Sequence, residues 1–157
     1  MIVKAEPGTY IKAGAPATMY SGALGPCIGV GAIYKTQGFL AHDFSDSLVE
    51  VGRLLDDLKG IQSLERLAIY VGGGCLEFDN DPVRSRMCRD ANLLTLRLRK
   101  QTLQKIASVG FANNVREVLW GTYDYAIELY LYLAQGNHYF KRISPDASPT
   151  PELGFLR

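Results

Sequence analysis

Two side chains in this sequence are of the types that carry out nucleophilic chemistry on a carbonyl carbon: Cys27 and, 15 residues further on, His42. The thiolate is the reactive form of cysteine, and a free thiol titrates near 8.5, so a nucleophilic cysteine needs a neighbour that takes its proton. An imidazole does this near neutral pH and can return the proton to a leaving group, which is why Cys and His are used together in acyl transfer. The surroundings of Cys27 suit such an attack. Gly22, Ala23, Gly25, Gly29 and Gly31 lie close to it in the chain and leave the sulfur uncrowded. Spacing alone does not establish the pair, because a Cys and a His on neighbouring strands are a common coincidence and buried cysteines are usually inert packing.

For the two to meet, the chain between them must fold back on itself. Cys27 to Tyr34 reads CIGVGAIY. Ile28, Val30, Ala32 and Tyr34 share one face, while Cys27, Gly29, Gly31 and Ile33 share the other. This is a strand with one face nearly bare, which something must approach closely. Thr36-Gln37-Gly38 reads as a turn and Phe39 to Phe44 as the second arm of a hairpin. Residues 27 and 42 then lie toward the same open end. Asp43 follows His42 directly and points to the opposite face, so it is a poor orienting partner.

The remaining elements follow from periodicity. Segments 9–12 and 17–20 read as short strands. Ser47-Leu48-Val49-Glu50 fits a capping box ahead of a first helix over 48–59, with Val51, Leu54, Leu55 and Leu58 at helical spacing and Gly60 at its end. Leu67 to Val71 reads as a buried strand running into Gly72-Gly73-Gly74. Residues 77–90 are polar, contain Pro82 and read as a loop. Asn92 is then the N-cap of a second helix over 93–109, closed by Gly110, with an apolar side that includes Leu96, Leu103, Ile106 and Ala107. Val115 to Leu119 is another strand. Tyr123 to Leu133 alternates, with Tyr125, Ile127, Leu129, Leu131 and Leu133 on one face. Gln135-Gly136-Asn137 turns the chain back into Tyr139–Ile143. The tail from Ser144 holds three prolines and is expected to be loosely ordered. The order of elements gives an α+β fold: a mixed β-sheet or sandwich core with two main helices packed on it. Residues 1–143 form one domain, followed by a tail over 144–157.

Composition narrows the function. With 157 residues, 47% of them hydrophobic, the chain can build a core without disulfides or metal. A net charge of +1 gives no electrostatic footprint for nucleic acid or an anionic membrane. Three cysteines, Cys27, Cys75 and Cys88, are too few and too irregularly spaced for a disulfide framework or a zinc site, and Cys75 and Cys88 read as structural. No apolar run reaches membrane-spanning length, and the first ten residues hold no apolar leader core. The expectation is a reduced, cytoplasmic protein. His138 falls near a hairpin turn and reads as a surface residue. Arg84, Arg86, Arg89, Arg97, Arg99 and Lys100 form a basic stretch that reads as a solvated loop and helix face rather than an acidic docking site. Gly72-Gly73-Gly74 lacks the Lys-Ser/Thr of a phosphate loop; it fits the lining of a groove beside Cys27 and a tight turn after a buried strand equally well.

The segment Ser21-Gly-Ala-Leu-Gly-Pro-Cys27-Ile-Gly-Val30, followed by Gly38-Phe-Leu-Ala-His42, resembles the active-site region of the chemoreceptor glutamine deamidase family, CheD. That family shows Thr-x-x-Leu-Gly-Ser-Cys-(Val)-x-Val and then a strand ending in His. Weaker similarity continues in Ala68 to Gly74, Arg89-Asp-Ala-Asn92 and Phe140 to Ile143, in the same order along the chain. Deamidating toxins of the cytotoxic necrotizing factor type share the same Cys/His arrangement, so the segment resembles them too. The resemblance implies hydrolysis of a protein glutamine side chain to glutamate. Cys27 would be the nucleophile, His42 the general acid/base, and Ser21 an orienting residue. Gly25, Gly72 and Gly73 would lie at the substrate, and the backbone N–H of Cys27 would serve the oxyanion. No metal or organic cofactor is required. It further implies chemoreceptor helices as substrate and a CheC-like phosphatase as partner. Three positions depart from the pattern: Ser21 replaces Thr, Pro26 replaces Ser, and no late Gly-Gly-x-x-x-Arg signature stands near Gly121. The departures keep two alternatives open: a secreted deamidase effector acting on a host protein, and a catalytically inactive interaction module of the same fold.

Overall fold

The bare strand face foreseen around Gly29 and Gly31 exists because a second sheet lies against it. In the computed structural model, which describes residues 1–144, the elements run β1 Ile2–Lys4, β2 Thr9–Gly14, β3 Thr18–Tyr20, β4 Ile28–Tyr34, β5 Gln37–Asp43, α1 Val49–Leu58, β6 Leu67–Gly73, α2 Pro82–Ser108, β7 Val115–Trp120, β8 Ala126–Tyr132 and β9 Asn137–Ile143. The expected tail falls, after Ser144, outside the described residues.

The strands make a five-stranded sheet in the order β2-β5-β4-β6-β7 and a four-stranded sheet in the order β1-β3-β8-β9. Both are mixed: β6 and β7 run parallel, joined through α2, and β1 runs parallel to β3. Leu129, Leu131 and Leu133 from the β8 side meet Met19, Ile33, Leu40 and Tyr70 in one core between the sheets. A Cβ added at Gly31 would stand 2.9 Å from Leu129, and one at Gly38 would stand 2.6 Å from Leu133 and Met19. The glycines are therefore what lets the sheets approach. The other face of the five-stranded sheet carries Ile28, Val30, Ala32, Ala41, Ile69 and Val71, covered by Val51, Leu54, Leu55 and Leu58 of α1 and by Leu98 and Ile106 of α2. The fold is α+β, two packed sheets with two helices on one side.

Several local expectations change. The hairpin turn is Lys35-Thr36, with Tyr34 opposite Gln37 and Lys35 left-handed at φ 56°, so it falls earlier than Thr36-Gln37-Gly38. No capping box forms at Ser47. Instead the Asp43 carboxylate accepts from the N–H groups of Glu50 and Val51, at 2.7 and 3.0 Å, and from the N–H and hydroxyl of Ser45. The cap of α1 thus comes from the preceding strand. The polar stretch 77–90 is not all loop: α2 begins at Pro82, with Asp81 as N-cap accepting from the N–H groups of Val83 and Arg84. Asn92 is interior to α2, and its side chain donates to and accepts from the backbone of Glu77. The buried line of α2 is Thr95, Leu98, Thr102 and Ile106, whereas Leu96 and Leu103 are exposed. Thr95 and Thr102 tolerate burial because their hydroxyls donate to the carbonyls of Ala91 and Leu98 one turn back. His138 is half-buried rather than free on the surface: it stacks on Tyr70 and bonds the Glu117 carboxylate at 2.6 Å, tying β9 to β7 across the two sheets.

Candidate functional site

The open end of the β4–β5 hairpin holds both residues of interest. His42 stands opposite Gly29 on one side and Thr9 on the other. Cys27 occupies the bend two residues before Gly29. Cys27 stands outside the strand, so alternation does not fix its direction: it lines a groove with Asp43 on the α2 side of the sheet, whereas His42, paired with Gly29, lies on the face toward the second sheet, a departure from the shared face expected of the pair. The turn Leu24-Gly25-Pro26-Cys27 sets the bend, closed by the Cys27 N–H donating to the Leu24 carbonyl at 2.8 Å.

His42 is only 2% exposed. Its Nδ1 lies 2.8 Å from the Ser21 carbonyl oxygen and 3.1 Å from that of Ala5. Carbonyl oxygens only accept, so Nδ1 must carry the hydrogen in the neutral ring. The lone pair is then fixed on Nε2, which is buried and finds no hydrogen-bond partner among the described residues. Burial pushes the imidazole pKa below its ordinary value, opposed by the two carbonyls at Nδ1. His42 is therefore a neutral base at physiological pH with one free basic nitrogen. A buried polar atom left without a partner costs stability and persists where structure or function requires it.

Cys27 is half-buried and unpaired with any other cysteine. Burial pushes its thiol pKa up, and the charge of Asp43 adds to this. It contributes to a groove of about 360 Å³ with Pro26, Asp43, Phe44, Glu77, Ala91, Leu94, Thr95 and Leu98, between the sheet end and α2. His42 does not line that groove, and no hydrogen bond joins it to Cys27. The resting state is a neutral thiol and a neutral imidazole, not an ion pair.

The other expected site residues are placed as follows. Ser21 orients His42 through its main-chain carbonyl; its hydroxyl donates to the Gly22 carbonyl and accepts from the Leu129 N–H. Gly25 sits in the turn beside Cys27 at φ +54°, with open space where a Cβ would be. Gly72 and Gly73 do not line the groove. A Cβ at Gly72 would meet Phe140 at 2.7 Å, and one at Gly73 would meet the Cys27 carbonyl at 2.4 Å, so their space is filled by the chain's own packing. The Cys27 N–H, expected at the oxyanion, is held by Leu24 instead. Sequence reasoning missed Ala5, the second carbonyl on His42, because nothing in a run of polar and small residues signals that a carbonyl will point at an imidazole. It also missed Arg99, whose guanidinium donates to the carbonyls of Gly74 and Gly121 and stacks on Trp120, tying the ends of β6 and β7 together.

A cavity of about 700 Å³ lies at the opposite, turn end of the hairpin beside Lys12, Tyr34, Gln37 and Asp57, remote in sequence register from Cys27. Among the described residues no cluster of His, Cys, Asp and Glu is arranged to hold a metal ion, and no helix is long and apolar enough to cross a membrane. Comparison with models of known protein families and with curated proteins gives no match.

Proposed function

We propose that this chain is a cysteine-dependent amide hydrolase acting on glutamine side chains of a protein, with Cys27 as nucleophile and His42 as general acid and base. The observation that supports the reading is the state of His42: buried, locked as the Nδ1–H tautomer by two carbonyls, with no hydrogen-bond partner for Nε2 among the described residues. A lowered imidazole pKa keeps that nitrogen unprotonated and ready to accept at neutral pH.

The proposed chemistry balances without a cofactor. His42 Nε2 takes the thiol proton as Cys27 Sγ bonds to the glutamine side-chain carbon, giving a tetrahedral oxyanion. The carbon–nitrogen bond then breaks while Nε2–H protonates the departing nitrogen, which leaves as ammonia. A water, losing its proton to Nε2, adds to the thioester. The carbon–sulfur bond breaks, the thiolate regains the proton, and glutamate remains. The first step requires Sγ within hydrogen-bond reach of Nε2, a contact the resting state does not make; such contacts commonly tighten only with substrate in place. Because the thiol pKa is raised, proton removal accompanies attack rather than preceding it.

The test is ammonia release from glutamine-containing peptides, with mass spectrometry locating the amide-to-acid change. Cys27→Ala should abolish both, and His42→Ala should lower kcat roughly 10²- to 10⁴-fold. Release undiminished in Cys27→Ala would end the proposal. Chemoreceptor helices are the first substrate to try, with a CheC-like phosphatase as candidate regulator. Conversion of a host protein alone would point to the effector alternative. The catalytically inactive module is favoured by one observation, the Cys27 N–H held in its turn. Absence of conversion on every glutamine substrate, with the fold intact, would decide for it.

A further inference from the structure

The solvent side of α2 carries a feature that neither the core nor the Cys27 groove uses. Leu93, Leu96 and Leu103 are 67, 44 and 37% exposed. Their spacing, with Lys100 and Ala107 completing it, is the three-and-four alternation of a helix-pairing seam. At 100° per residue this line lies on the far side of the helix from buried Leu98 and Ile106, and its leucines are exposed among the described residues. Arg89 continues the line toward the N-terminus, and Arg97 flanks it. These residues and Lys100 are exposed, and among the described residues none of the three forms an ion pair.

We propose that this seam of α2 docks an acidic amphipathic helix of a partner protein, whose apolar residues pack on Leu93, Leu96 and Leu103 and whose carboxylates meet Arg89, Arg97 and Lys100. The charge decides among occupants. A second copy of this chain would bring the same cations against one another, since no acidic residue lies on the line itself and Asp90 is set to one side of it. A lipid surface is disfavoured because Lys100 sits in the middle of the apolar line and the line is narrow and lacks aromatic residues. An acidic helix satisfies both the leucines and the cations, a recognised mode of helix-on-surface binding. The proposal stands on α2 alone and does not depend on the chemistry of Cys27.

The experiment uses the full chain and a fluorescent 21-residue helical peptide with Leu at the seam positions and Glu beside them, against the same peptide with Lys for Glu. Anisotropy at physiological salt should show saturable binding of the acidic peptide only, weakening steeply with added salt. Leu96→Ser with Leu103→Ser should weaken it at least tenfold, as should Arg97→Glu with Lys100→Glu. Circular dichroism should show both variants folded as the parent, since all four side chains are exposed. Equal binding of the two peptides, or binding untouched by either variant, overturns the proposal. So does a peptide-free dimer in sedimentation that Leu96→Ser dissolves, which assigns the seam to a second copy. Binding to phosphatidylserine vesicles without binding to the acidic peptide assigns it to a membrane and overturns it equally.

Discussion

An imidazole closed off from water has its proton placement set by the groups that surround it. His42 faces two carbonyl oxygens at Nδ1 and has no hydrogen-bond partner at Nε2 among the described residues, so the neutral form is the one the fold accommodates. With the folded pKa below the ordinary value, the unfolded chain binds the proton first on acidification. The stability contributed by neutral His42 is therefore complete above about pH 6.5 and is lost as pH falls from there toward the folded value. Thermal melts should show a falling midpoint across that window, at most about 1.4 kcal/mol per pH unit from this residue, and His42→Phe should flatten the slope. Alkylation of Cys27 by iodoacetamide should likewise accelerate with pH beyond the range of an ordinary thiol, because burial holds its proton on. A rate already at plateau at pH 7 would contradict the raised thiol. Ser21 separates two roles within one residue. Ser21→Ala keeps the carbonyl that orients His42 but leaves the buried Leu129 N–H without its acceptor. It should cost about 1–3 kcal/mol in denaturant unfolding and leave the His42 pH dependence where it was.

At the scale of elements, Asp43 does for α1 what the local sequence does not. Asp43→Ala removes four hydrogen bonds, two of them to the first turn of α1, and should destabilise by about 2 kcal/mol or more. Ser47→Ala, at the site of the expected capping box, should change unfolding by less than about 0.5 kcal/mol, and a larger loss there would restore the local cap. The contrast shows what a sequence discloses. The β4–β5 arms, α1 and β8 were legible because their apolar residues keep a regular period against a single core. The cap of α1 was not, since its donor and acceptor lie seven residues apart on different elements. Nor was the first half of α2: Asp81-Pro82 is a sound start signal, yet without apolar residues facing a core the stretch read as loop. The apolar side of α2 was misassigned because two threonines are buried and two leucines are not, an inversion possible only when a helix satisfies the hydroxyls itself. At the site, the hairpin that brings positions 27 and 42 to one end was readable from the residue pattern, while the direction of the Cys27 side chain, set by the bend at Leu24-Gly25-Pro26-Cys27, was not. The carbonyls that fix the tautomer were not, because main-chain direction has no letter in the sequence.

Across the whole molecule, two sheets meet over a layer thin enough to need glycines, and few polar contacts bridge them. The His138–Glu117 bond with its Tyr70 stack is one such bridge. Both partners reach water, so His138→Ala should cost no more than about 1 kcal/mol by urea unfolding. Filling the layer should be far more damaging. Gly31→Val would drive a branched side chain into Leu129 and Leu131 and should lose several times as much, or prevent folding.

The fully buried residues of α2 lie at Thr95 or beyond and Leu94 packs partly against the core, so the turns from Pro82 to Asp90 are anchored by little apart from their cap, the exposed Arg84 ion pairs and, just beyond them, the Asn92 link to Glu77. Such a helix opens from one end, and its amides should exchange with solvent in a gradient, fastest near Pro82 and slowest around Ile106. Trypsin should find Arg84, Arg86 and Arg89 well before Arg99, whose guanidinium is bound to two carbonyls, so a brief digest would nick the chain there while the sheets and the rear of the helix stay whole.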